Sequence, residues 1–116
     1  MARFQKLDVG KLLGNVPEQY VFYVHDGRIL RNMDDLNTAL GTMPDETYAY
    51  HANEQKNDFS NWVKDIIGDE KLARDLNRAV SRAQAAKRVA TREAFLTGKL
   101  NPNQSGTISP AVSERK

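Results

Sequence analysis

The sequence predicts an α+β domain of mostly helical content, with an N-terminal β-hairpin packed on three to four helices and a flexible C-terminal tail. Three observations carry that expectation. Tyr20 to His25 is dense in β-branched and aromatic residues and is followed by Asp26-Gly27 and a second apolar run. Phe59, Trp62, Val63, Ile66 and Ile67 recur at the spacing of one helix face. Residues 69–96 are rich in Ala, Leu, Lys and Arg and contain no proline.

Taken in chain order, residues 1–19 mix Phe4, Leu7, Leu12 and Leu13 with Gly10, Gly14 and Pro17, which read as breakers in a loosely held arm. A globular domain is expected over 20–97. In its hairpin, Asp26-Gly27 reads as a two-residue turn, which places Val24 opposite Ile29 and Tyr23 opposite Leu30. Asn32 is a helix cap, Asp34 and Asp35 favour the first turn, and Gly41 can close that helix. Thr42 then caps a second helix with Pro44 in its first turn, and Tyr48 faces inward. Asn57 or Asp58 caps a third, which Gly68 ends. Leu72, Leu76, Ala79, Ala83, Ala90 and Ala94 share one face if 69–96 is a single helix, whereas Ser81 and Gln84 can form a capping box that splits it near Val80. The expected core is Phe22, Val24, Leu36, Leu40, Tyr48, Phe59, Trp62, Val63, Ile66, Leu72 and Leu76. Residues 98–116 read as a disordered tail.

The segment Tyr23-Val24-His25-Asp26-Gly27-Arg28-Ile29-Leu30-Arg31-Asn32, with Asp45-Glu46-Thr47-Tyr48 and His51-Ala52-Asn53-Glu54-Gln55-Lys56-Asn57-Asp58-Phe59-Ser60-Asn61-Trp62, resembles a small archaeal and bacterial domain family of unknown function. Its pattern reads YVxDGxxLxNLxEL…DETFxYHVNxEKNDFxxWIxDVxGD. The likeness is dense from about residue 20 to residue 77, and Ala52 stands where a β-branched residue is more usual. The resemblance implies an autonomous module of the prokaryotic cytosol, compatible with an interaction role. It brings no catalytic residues.

The chain has 116 residues and no cysteine, which excludes disulfides, thiolate metal sites and a cysteine nucleophile. No apolar run approaches the ~20 residues that cross a bilayer, and Met1 to Lys6 lacks the apolar core of a signal peptide. A cytoplasmic location is expected. No phosphate-cradling glycine loop or nucleophile elbow is present, so an enzyme is not expected, and neither is a cofactor. The densest polar cluster runs from His51 to Asp58. Its structural reading is that Asn57 and Asp58 cap a helix, Asn53 ends one, and His51 ties the turn to backbone. Its functional readings are partner or ligand recognition by Tyr50, His51, Asn53 and Glu54, or a metal site at His51, Glu54 and Asp58.

The net charge of +2 conceals a division. Residues 1–70 carry seven Lys and Arg against twelve Asp and Glu, net −5, whereas residues 71–116 carry ten against three, net +7. On a continuous helix Lys71, Arg74, Arg78 and Arg82 form a ridge, with Arg88 and Arg92 alongside, and Lys87 joins these six as a candidate nucleic-acid contact. Such a ridge suits RNA, DNA or a ribosome surface, the protein's own acidic half, or water. The preferred expectation is a non-enzymatic interaction module that docks on a protein partner or on itself. Nucleic-acid or ribosome association is the alternative, and no membrane contact is expected.

Overall fold

The computed structural model describes residues 8–100. The elements follow in the order α1 (Val9–Leu13), β1 (Phe22–Tyr23), β2 (Ile29–Leu30), α2 (Met33–Thr42), α3 (Asp45–His51), α4 (Asp58–Trp62), α5 (Glu70–Arg78) and α6 (Arg82–Leu100). A single π turn, Val63–Ile67, continues α4. The fold is thus α+β and mostly helical, with one antiparallel hairpin near its N-terminus. One contiguous core joins all the helices, and α6 packs along α2 while also touching α1 and α5. Among the described residues, no helix is long and apolar enough to cross a membrane.

The arm is held in its described part. Asp8 caps α1 by accepting from the Lys11 N–H at 3.1 Å, and Leu12 is buried. Gly10, Gly14 and Pro17 shorten the helix without abolishing it. The Val16 N–H then donates to Arg31 O at 2.8 Å, and the Asn32 side-chain amide donates to Asn15 Oδ1 at 2.7 Å. Residues 1–7 of the expected arm lie outside the described residues.

The hairpin forms where the sequence places it, in a different register. Phe22 faces Leu30 and Tyr23 faces Ile29. The loop has three residues, not two: the Gly27 N–H donates to Val24 O at 2.9 Å, and the Val24 N–H donates to Arg28 O at 2.8 Å. Gly27 sits at φ 101°, the left-handed residue that follows such a turn. A one-residue slip exchanges faces. It puts Phe22 and buried Leu30 toward the helices and leaves Tyr23 and Ile29 outside.

Asn32 caps α2, accepting from the Asp35 N–H at 2.7 Å. The helix does not close at Gly41 but runs to Thr42, which buries Met43. Nor does Thr42 cap α3. Its hydroxyl donates to Thr38 O at 2.9 Å and accepts from Arg28 Nη1, so Pro44 begins α3 without a side-chain cap. Arg28 also reaches Ala39 O at 3.4 Å, and Arg82 Nη1 donates to Leu40 O at 2.7 Å. Two guanidinium groups thereby reach carbonyls of the last turn of α2, Arg82 at Leu40 O and Arg28 at Ala39 O, which also accepts from the Met43 N–H at 2.8 Å.

Asn57 caps α4 by accepting from the Ser60 N–H at 3.0 Å, and its amide donates to Leu76 O at 3.2 Å, which joins α4 to the end of α5. The Ser60 hydroxyl adds a buried bond to Ala73 O at 2.7 Å. Gly68, at φ 94°, closes the π turn by donating to Val63 O at 2.7 Å.

Residues 69–100 form two helices broken at Ala79-Val80-Ser81. Ser81 Oγ accepts from the Gln84 N–H at 3.1 Å, and Gln84 Oε1 accepts from the Val80 N–H at 3.1 Å, a close variant of the capping box. The break resets the helical phase. Ala85, Val89 and Leu96 are buried, whereas Ala83, Ala90 and Ala94 of the expected stripe are exposed. Helix α6 also runs through Gly98 to Leu100, residues expected in the tail, and residues 101–116 lie outside the described residues. Of the expected core, Phe22, Tyr48 and Ile66 are only partly buried. Leu12, Leu30, Met33, Met43, Ile67, Val89 and Leu96 are buried in addition to the expected core, Ile67 on the apolar face its spacing predicts.

Candidate functional site

The His51-to-Asp58 segment joins the hairpin to α4. His51 is buried at the end of α3, and its Nε2 accepts from the His25 N–H at 2.9 Å. A ring that accepts at Nε2 holds its proton on Nδ1, and that proton points at Asp58 Oδ2, 3.0 Å away. Lys56 Nζ bonds the same oxygen at 3.0 Å. Both ring nitrogens are spent, with Phe22 and Phe59 against the ring at centroid distances of 5.1 and 5.2 Å. The expected metal site at His51, Glu54 and Asp58 does not assemble. Among the described residues no group of three His, Asp or Glu converges to hold an ion. The backbone-tying role for His51 is the one observed.

Asn53 likewise serves the loop. Its Oδ1 accepts from the Gln55 N–H at 2.9 Å, its amide donates to Ala49 O at 3.0 Å, and Ala52, not Asn53, is the C-cap of α3. Glu54 stands on the wall of an open cleft of about 740 Å³, opposite Asn77 and Val80. Tyr50 is half exposed and stacks on His25 at 3.9 Å and 14°, with Lys56 Nζ 5.2 Å from its ring.

These contacts build an aromatic surface at the hairpin. Tyr23 is 70% exposed and sits directly across from Ile29, Tyr20 precedes the strand, and the Tyr50–His25 stack covers the turn. Comparison with known proteins adds nothing to it. No family model, curated protein or solved structure matches this chain. The resemblance over residues 20–77 therefore rests on the residues themselves.

The basic residues do not form the expected ridge, because the helix that would carry it is broken. Arg82 pairs with Asp45 at 2.7 Å. Arg92 makes a bidentate pair with Asp69, Nε to Oδ2 at 2.8 Å and Nη2 to Oδ1 at 3.1 Å, and Asp69 Oδ1 also caps α5 through the Leu72 N–H. Both groups are nine-tenths buried or more. Arg74 and Arg78 stay exposed on α5. Helix α6 returns beside α5, so Lys71 and Asp75 face Lys87, Arg88, Arg92 and Phe95 across a groove of about 280 Å³. Phe95 escapes a reading built on charge alone, although it is the one aromatic set among these basic residues.

Two carboxyl groups make stability depend on pH in opposite senses. Burial raises the Asp58 carboxyl, but hydrogen bonds from His51 and Lys56, together with the Lys56 charge, outweigh it and hold the pKa below 3.8. Its contribution is present above the unfolded-state pKa and is lost as pH falls through the lower folded value. Burial raises Glu93, and the charge of nearby Asp34 raises it further, against a hydrogen bond from Asn37. There the folded protein binds the proton more readily, so stability falls as pH rises from 4.5 through the folded-state value. Glu93→Gln should therefore stabilise the protein at pH 7, by less than about 1 kcal/mol because the group meets solvent. At pH 3 it should change little. Urea unfolding at the two pH values measures the difference.

Proposed function

We propose that this chain is a small, non-enzymatic, cytoplasmic interaction module that docks on a protein partner through the outer face of its hairpin. The observation that carries this reading is the exposed cross-strand pair of Tyr23 and Ile29 on a hairpin whose preceding residue Tyr20 is also half exposed and whose turn residue His25 stacks on Tyr50. Exposed tyrosines supply large contact area at low entropic cost and are enriched at interface hot spots. Among the described residues the sheet has two strands, and so small a sheet is suited to the addition of an extended segment from a partner. Recognition then belongs to Tyr50 in its stack, while His51 and Asn53 position the surface from beneath. The non-enzymatic reading is supported by His51 and Asp58 being spent on holding the hairpin.

A photo-crosslinking residue at position 23 or 29 of the full chain should yield a discrete protein adduct in cells. The same residue at exposed Thr97 on α6 should not. Tyr50→Ser should abolish the adduct while leaving the circular dichroism spectrum unchanged, since Tyr50 is half exposed and stands outside the hydrophobic core. Equal labelling from positions 23 and 97 would sink the proposal.

A further inference from the structure

The groove between α5 and α6 lies on other elements and has no part in that reading. It is lined by Lys71, Lys87, Arg88 and Arg92 together with the exposed ring of Phe95. Lys71 Nζ is satisfied by Asp75 at 2.7 Å and Arg92 by Asp69, which leaves Lys87 and Arg88 with no ion pair among the described residues. Asp75 registers the surrounding field: the hydrogen bond from Lys71 lowers its carboxyl, burial opposes, and the charges of Lys71, Arg88 and Arg78 add to the lowering. Phe95 is 46% exposed in the same groove, with the Arg92 guanidinium and Lys99 Nζ each 5.4 Å from its ring. Arg92 cannot swing away, because its bidentate pair with Asp69 fixes the guanidinium.

Cations on two helices flanking an exposed ring match a ligand that alternates negative charge with flat apolar faces. Single-stranded nucleic acid has that chemistry, its phosphates tracking the basic rim and a base packing on the aromatic side chain. Acidic peptides offer the charge without the regular planar faces. We propose that the α5/α6 groove binds single-stranded nucleic acid, with a base packed on Phe95 and phosphates met by Lys87 and Arg88.

Fluorescence anisotropy of the full chain with labelled oligouridylate or oligothymidylate of about 15 nucleotides tests this. Binding should be present at ~50 mM salt and fall steeply by ~200 mM, as release of counterions from phosphates requires. The double variant Lys87→Glu, Arg88→Glu breaks no contact described above and should lose at least about ten-fold in affinity; Phe95→Leu should lose on the order of ten-fold for single strands and nothing for a duplex of equal length. Absence of binding at ~50 mM salt would overturn the proposal. So would a silent Phe95→Leu, a duplex bound as tightly as the single strand, or full competition by polyglutamate of matching length, which would assign the groove to acidic peptides.

Discussion

Asp69→Ala should destabilise the protein by about 3–5 kcal/mol, because it strands the buried Arg92 guanidinium without its counter-charge. It also removes the oxygen that caps α5 at the Leu72 N–H. The expected order is Ala worse than Asn, since an asparagine oxygen still accepts that N–H but carries no charge. Arg92→Met tests the other half. It keeps the length of the stem and leaves a buried carboxylate with its capping bond alone. The double variant should cost clearly less than the sum of the single losses, because neither charge is then left unpaired. Urea unfolding followed by the fluorescence of Trp62 reads all four proteins, Trp62 being the only tryptophan and buried against the Tyr20 carbonyl, to which its indole donates at 2.8 Å. Additive losses would mean that the pair is no pair in solution.

Phe59→Ala should cost about 3–5 kcal/mol, at the high end for a core truncation. Phe59 is 1% exposed and sits at the centre of an aromatic group: Phe22 stacks on it at 5.2 Å, Tyr48 at 5.9 Å, and the His51 ring tilts against it at 5.2 Å. Removing the ring opens a cavity between the hairpin and α4, so the loss includes unfilled volume as well as transfer from water. Phe59→Leu refills most of that volume and forfeits the ring contacts, and should cost about 1–2 kcal/mol. Stability of a single domain totals about 5–15 kcal/mol, so the alanine variant should show a visibly unfolded fraction at mild urea concentrations. A cost below about 1 kcal/mol would show that the hairpin does not depend on this ring.

Local signals made much of the fold legible. Asn32 and Asn57 cap where side-chain chemistry predicts, Gly68 adopts the positive φ that ends a helix, and Asp26-Gly27 marks the turn. What escaped were quantities that local signals leave undetermined. Asp-Gly suits both a two-residue and a three-residue loop, and only packing of Phe22 and Leu30 against the helices decides between them. The Ser81 and Gln84 box located the break near Val80, but high helix propensity on both sides left a single helix equally open, and the stripe drawn on that single helix fails for Ala83, Ala90 and Ala94 while Ala79 still packs against the core. The same error created the basic ridge. Nothing in the sequence around Asp69 announces a buried partner more than twenty residues away. Among the candidate residues, the structural role of His51 was legible because imidazole beside Asn and Asp at a helix end commonly bonds backbone. Phe95 was not, because its setting depends on which helix lies beside it.

The position of α6 has a consequence for how the molecule comes together. This helix is the last of the described elements, yet it supplies Val89 and Leu96 to the core, the guanidinium at the end of α2 and the counter-charge of Asp69. Chain that stops before Arg82 has the hairpin and α2 through α5 but an open seam of leucines where α6 belongs. Such a fragment should not hold a native fold. The described residues should therefore unfold as one cooperative unit closed by α6, with amide hydrogens of α2 exchanging on the timescale set by the release of α6 rather than by fraying of α2 itself.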